Sequence, residues 1–400
     1  MTIDVRRYSD LLESVASELD ISPEKYQEAV NRYQTIGRWL QEGAYPASTH
    51  EPDIYVQGSF RLGTIVRPIR NGVEASYDID LVCELQITKE RTSPQAVKSM
   101  VGNRLREHGT YRRLLQPEGR RCWTLQYAEQ DGVGFHIDVL PAVPDGRGLP
   151  DTAIAITNKN GSAYSWSPSD PRGYGEWFDS KNAFAFARVA IEEKRRLQRR
   201  AALIFESIDK VPDLLVRTPL QRSIQLMKRH RDLRFNHPDR VEYAPISIII
   251  TTLAAHLYGG EADVYSALSA ILRKLQAHTG LLEGKSIDPA LATMGLIRRR
   301  PDGTWYIGNP VRPEENFADR WHENNHARAR AFFSWVTQLQ EDLLDVVNNP
   351  DPRFVKEHLG RTLGSAVVTR AFESLIPVGS VNDGPPRIHI VNAPKPWKER

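Results

Sequence analysis

Apolar residues recur every three or four positions over 7–19 and 23–41, and this pattern predicts two amphipathic helices. In the second, Tyr26, Val30, Tyr33, Ile36 and Leu40 share one face. Ser22 ahead of Pro23 and Glu24 supplies an N-cap and a proline for the first turn. The texture then changes. Residues 53–57, 77–85, 122–128, 134–140 and 153–157 are short and rich in β-branched or aromatic side chains, which predicts strands. A helical stretch at 94–107 interrupts them. Residues 158–182 carry Gly, Pro, Ser and aromatics and read as a loop between lobes. Helical patterns dominate afterwards, at about 183–208, 218–234, 244–257, 262–278, 326–347 and 353–375. Pro and Gly crowd 379–400, which predicts an extended tail. The chain therefore divides into a mixed α/β lobe over 1–180 that includes the two early helices, a helical lobe over 181–378, and the tail.

Length agrees with that division, because 400 residues exceed what one hydrophobic core usually organises. The charge balance is near neutral, 53 basic against 50 acidic residues, a net of +3. That argues against a dedicated nucleic-acid track, where a strong basic excess is usual, and no stable nucleic-acid complex is expected. The two cysteines, Cys83 and Cys122, imply neither a disulfide framework nor a zinc cluster, and a reducing cytoplasm fits. The most apolar stretch, 244–258, is interrupted by Ser247, Thr251, Thr252 and His256, so it reads as a buried helix and no membrane association is expected.

The candidate chemistry is a split set of carboxylates behind a Gly-Ser turn. Asp78 and Asp80 sit two apart on a strand-like segment, so both project from the same face. Two like charges in a partly desolvated site repel, and a divalent cation turns that repulsion into attraction. Asp138, flanked by Ile137 and Val139, lies on a later strand-like segment and can complete the set. Gly58 and Ser59 stand ahead of the acids, where glycine allows close backbone approach to phosphate and serine offers donors. The conjunction fits two-metal transfer of a nucleotidyl group, with Asp138 beside the metal on the nucleophile's side.

The segments Gly58-Ser59-Phe60-Arg61-Leu62-Gly63-Thr64, Asp78-Ile79-Asp80-Leu81-Val82 and His136-Ile137-Asp138-Val139-Leu140-Pro141 resemble the polymerase-beta-type nucleotidyltransferases. Within these, the chain is similar to the bacterial cGAS/DncV-like cyclic-oligonucleotide synthases, which are related to oligoadenylate synthase. The stretch 219–232, around Lys228-Arg229-His230-Arg231, resembles the first helix of that family's C-terminal lobe. Asn309-Pro310 with 315–321 resembles a later element of it. The resemblance implies an α+β fold: a nucleotidyltransferase lobe with a twisted mixed sheet and flanking helices, plus a helical C-terminal lobe, with the active site in the cleft between them. It implies two magnesium ions, replaceable by manganese, on Asp78, Asp80 and Asp138. It implies nucleotide contacts from Gly58, Ser59 and Lys228, and Arg61, which follows the turn, is a further candidate. The implied reaction joins ATP, with GTP, into a cyclic di- or trinucleotide that acts on an effector in antiphage signalling, and a regulatory protein partner is implied as well. The same site serves template-independent RNA nucleotidyltransferases, and a degenerate nucleotide-binding module is a third reading.

Other residues keep two readings. His136 shares a face with Asp138 and either orients a ligand or makes a structural hydrogen bond. Lys228 either binds phosphate or lies on a solvated helix face, and Arg61 either reaches phosphate or does not. Asn309 and Asn316 read as braces for buried backbone groups. The basic run 194–200, preceded by Glu192 and Glu193, reads as an exposed helix with charge pairs. Tyr164, Trp166, Tyr174 and Trp177 either pack or stack on a base.

Overall fold

The computed structural model describes residues 4–375 apart from 68, 71–72, 129–133 and 147, so the tail expected over 379–400 lies outside the described residues. Helix α1 (Val5–Ser17) is capped by Asp4, whose carboxylate accepts from Arg7 N. Helix α2 (Pro23–Gln41) is capped by Ser22. Strand β1 (Asp53–Gln57) runs directly into a single turn of helix, α3 (Gly58–Arg61). A short pair, β2 (Ile69–Arg70) and β3 (Val73–Glu74), leads to β4 (Tyr77–Glu84). Helices α4 (Pro94–Glu107) and α5 (Gly109–Leu114) cross over to β5 (Trp123–Gln126) and β6 (Phe135–Pro144). A hairpin of β7 (Ile154–Asn160) and β8 (Ala163–Ser169) completes the sheet.

The sheet order is β1-β4-β6-β7-β8, with β5 also paired to β6. Strands β4 and β6 are parallel and the other pairs antiparallel, so the sheet is mixed. On β4, Tyr77, Ile79 and Leu81 are buried in a core that α2 and α4 cover, which turns Asp78 and Asp80 to the opposite face.

Residues 158–182 are not a loop. They form the end of β7, the whole of β8 and the start of the 30-residue helix α6 (Pro171–Arg200). Pro168 is tolerated because β8 is an edge strand. Asp170 caps α6 by accepting from Gly173 N at 2.8 Å, with Pro171 in the first turn. The division expected at residue 180 therefore falls inside one continuous helix.

The helical lobe contains α7 (Pro219–Arg234), α8 (Ser247–Leu257), α9 (Val264–Gln276) and α10 (Pro289–Met294). A small hairpin of β9 (Arg298–Arg299) and β10 (Trp305–Tyr306) precedes α11 (Glu323–Leu343). A π-turn at Gly360–Gly364 joins α12 (Pro352–Leu359) to α13 (Ser365–Leu375). Helix α1 belongs to this second core, since Tyr8, Leu12 and Val15 pack among α7, α9 and α13 and the Tyr8 hydroxyl donates to Leu343 O at 2.9 Å. Helix α2 packs on the sheet instead. Among the described residues, no helix is long and apolar enough to cross a membrane.

Candidate active site

Strand register assembles the acids. In the parallel β4–β6 pair Asp80 stands opposite Asp138 and Asp78 opposite His136. On the other edge of β4, Gln57 pairs with Asp80, which brings the following Gly58 over the same carboxylate. Gly58 has φ +64, a conformation that favours glycine, and a Cβ there would lie 2.2 Å from Asp80 Oδ2. Strand β5 sets Thr124 opposite Asp138, and the Thr124 hydroxyl donates to Asp138 Oδ1 at 2.5 Å. His136 Nδ1 lies 3.3 Å from Asp78 Oδ1, so this histidine serves a neighbouring acid.

Burial, then the charges of Asp138 and Asp78, push the Asp80 carboxyl up to about 7, and the Lys228 ammonium opposes them. The three acids line a cavity of about 510 Å³ together with Gly58, Ser59, Thr124 and Lys228, and with Ser247 and Thr251 of α8. Among the described residues, no three His, Cys, Asp or Glu side chains close into a metal cage by themselves. An all-oxygen donor set that repels itself nevertheless fits a hard cation that completes its shell with phosphate oxygens and water.

Lys228 lies on no solvated face, because it is 3% exposed. Its ammonium donates to Thr64 O at 3.0 Å and to Thr64 Oγ1 at 3.1 Å, just behind the Gly58-Ser59 turn. Burial and, after it, Arg231 push it down to about 7, while Asp232 and Asp80 pull the other way. Arg61 is not among the lining of the carboxylate cavity. It pairs with Asp179 of α6 at 2.6 Å and lines an adjoining cavity of about 380 Å³. That second cavity shares Gly58, Leu62, Asp80 and Ile248 with the first, and Tyr174, Asn309, Glu315 and Asn316 also line it.

Asn316 acts as a brace: its amide donates to Trp305 O and its oxygen accepts from Ile307 N and Ala318 N. Asn309 donates to Glu315 Oε2 at 2.8 Å and accepts from Val311 N. In the basic run, Arg195 and Arg196 pair with Glu192 and Glu193 at i,i+3, and Lys194 pairs with Asp213. Tyr174 is buried on Thr252, and Tyr164 donates to Glu118. Trp177 tilts against Tyr174 and His256, and Trp166 packs on the sheet's core. Sequence reasoning missed Thr124 and Thr64. Strand alternation around Trp123 signals the first, since it turns Thr124 away from the core; no sequence signal marks the second.

Residues 7–182 match the family described as the Second Messenger Oligonucleotide or Dinucleotide Synthetase domain, SMODS. A c-di-GMP synthase of Roseivirga ehrenbergii is 27% identical over 350 residues, 84% of this chain and 79% of that protein. The cyclic dinucleotide synthase CdnG of Bradyrhizobium diazoefficiens is 25% identical over 384 residues, 92% of this chain and 84% of that protein. In fold, the chain is similar to the structure of that CdnG in complex with GTP, with a TM-score of 0.67 and 21% identity over 92% of this chain and 98% of that one. It is also similar to Escherichia coli CdnC in its HORMA complex, with a TM-score of 0.57 and 14% identity over 90% and 97% of the two chains. The SMODS match thus spans the sheet lobe, relatives that are cyclic dinucleotide synthases align along both lobes, and over its length the chain is similar to the bacterial cGAS/DncV-like nucleotidyltransferases.

Proposed function

We propose that this protein joins nucleoside triphosphates, GTP among them, into a cyclic dinucleotide with release of pyrophosphate. The observation that carries the reading is that two cavities meet at Asp80. One holds the acids and the Gly58-Ser59 turn; the other offers carboxylate, amide and aromatic groups suited to a second nucleotide. Joining two nucleotides needs both places at once. The names of the two relatives support a cyclic dinucleotide, and that of one supports GTP.

In this reading Asp78, Asp80 and Asp138 would hold two magnesium ions, which would activate the attacking hydroxyl and stabilise the leaving pyrophosphate. The chain's own groups do the rest. Thr124 fixes the rotation of Asp138, and His136 that of Asp78. Gly58 and Ser59 present backbone and hydroxyl donors to phosphate, and Lys228 supports that turn with a positive charge. The new bond joins a ribose oxygen of one nucleotide to the α-phosphorus of the other, and the bond to pyrophosphate breaks. A second such transfer closes the ring. The product then acts on a separate effector in antiphage signalling, and a regulatory protein partner is part of the proposal.

Incubation with mixed NTPs and magnesium, followed by phosphatase and mass spectrometry, tests this. A phosphatase-resistant cyclic product that disappears with Asp80→Ala is expected. Extension of an added RNA primer without cyclic product would replace the reading with a template-independent polymerase.

A further inference from the structure

One face of α7 hydrogen-bonds the backbone behind the Gly58-Ser59 turn in three places. Gln221 Nε2 donates to Leu62 O at 2.9 Å. Gln225 Nε2 donates to Ile65 O at 3.2 Å. Lys228 Nζ donates to Thr64 O at 3.0 Å. The spacing of four and then three residues puts all three donors on one stripe of the helix. The turn is closed on its other side by Leu62 N donating to Gly58 O and Thr64 N to Ser59 O. Gly63, with φ +64, lets the chain press against this stripe, since a Cβ there would lie 2.6 Å from Gln221 Nε2.

The stripe is itself immobilised. Arg222 donates to Glu13 at 2.8 Å and to Asp20 at 2.7 Å, and Gln225 donates to Asp20 at 2.9 Å. The Gln221 amide also has a second duty. Its Oε1 accepts from Thr218 N at 2.8 Å, closing the capping box that starts α7. A single side chain therefore ties the helix start to the turn.

We propose that Gln221, with Gln225 beside it, is a positioning residue. Through the carbonyls of Leu62 and Ile65 it sets the Gly58-Ser59 turn over Asp80, so the helical lobe fixes where a triphosphate binds on the sheet lobe. This rests on the reading of the turn as a triphosphate site.

Gln221→Glu separates the two duties. The variant keeps the shape and the capping acceptor, since Glu is a normal capping-box residue, but it sets a carboxylate oxygen against Leu62 O. Binding of a fluorescent, nonhydrolysable GTP analogue with magnesium should weaken about tenfold, the scale of a lost half-buried donor, and KM for GTP should rise more than kcat falls. Thr218→Ala serves as the control, because it opens the cap and leaves the Leu62 contact in place. It should lower Tm at least as much as Gln221→Glu while retaining the wild-type Kd for the analogue. Equal binding by Gln221→Glu and wild type, or equal weakening in both variants, overturns the proposal. If wild-type protein binds the analogue but forms no cyclic product, the synthase reading fails and the Kd comparison still judges the positioning. If wild-type protein binds no triphosphate, both fall.

Discussion

Gly58 lies so close over Asp80 that the site has no room for even a methyl group between turn and carboxylate. In the proposed reaction the glycine thus serves the acid as much as the phosphate. Gly58→Ala must displace Asp80 and also bear a left-handed backbone, a strain of about 1–2 kcal/mol. The expected result is a fall in turnover of at least about a hundredfold with a Tm loss of a few degrees. Turnover by product mass spectrometry and a thermal melt check it together.

Removing one charge from the acid set should separate stability from activity. Burial and its acidic neighbours raise Asp80 to about 7, above its unfolded value of 3.8. The sign follows: the folded state favours the protonated acid, so the set destabilises the metal-free protein increasingly as pH rises from about 4 through 7. Asp80→Asn removes this penalty. In EDTA its Tm should exceed the wild-type Tm, with the gap widest above pH 7. In magnesium the wild type should gain Tm and the variant little, while the variant makes no product.

In the proposed reaction, Lys228 would report on the phosphate by taking up a proton. Its ammonium is pushed down to about 7, so near neutral pH it is only partly charged. A polyanion bound beside it raises that value, and proton uptake on binding follows. Calorimetry of triphosphate binding in buffers of different ionisation enthalpy should show more uptake in wild type than in Lys228→Met. The variant should also bind more weakly, by about ten- to a hundredfold.

Acid stability should depend on a buried group on the face of α7 turned away from Lys228. Trp335 Nε1 donates to His230 Nδ1 at 3.1 Å, so the proton sits on His230 Nε2, which faces Asp342 Oδ2 at 2.9 Å. Burial lowers His230 despite the Asp342 hydrogen bond. Burial raises Asp342, but the hydrogen bond and charge of His230 hold it below its ordinary value. Both groups bind protons less readily when folded, so both lose stability as pH falls: His230 from about 6.5 downward, Asp342 below about 4. The urea midpoint should drop between pH 7.5 and 5.5. His230→Gln should start lower and show a flatter slope over that window.

The acids were legible because strand alternation is a local rule, and one residue's face fixes the next. Asp78, Asp80 and Asp138 needed only that rule and a guess at adjacency. The parallel register that sets Asp80 opposite Asp138 was not legible, since α4, α5 and β5 intervene and nothing local encodes the pairing. Lys228 in its basic run matched a solvated face equally well. Its burial depends on the carbonyl and hydroxyl of Thr64, 164 residues away. The start of α6 was missed although Asp170-Pro171 is a regular helix-start signal, because Gly173, Gly175 and nearby aromatics outweighed it.

The place of α1 in the second core has a consequence at the ribosome. Tyr8 finds its acceptor on Leu343, a sequence separation of 335 residues. At synthesis speeds of about 5–20 residues per second, that is a wait on the order of tens of seconds. The sheet lobe can close in the meantime, but α1 must carry Tyr8, Leu12 and Val15 uncovered until the late helices emerge. The nascent chain therefore passes through a long stage in which one half is finished and a sticky helix hangs from it, and that stage is where a holding chaperone would act.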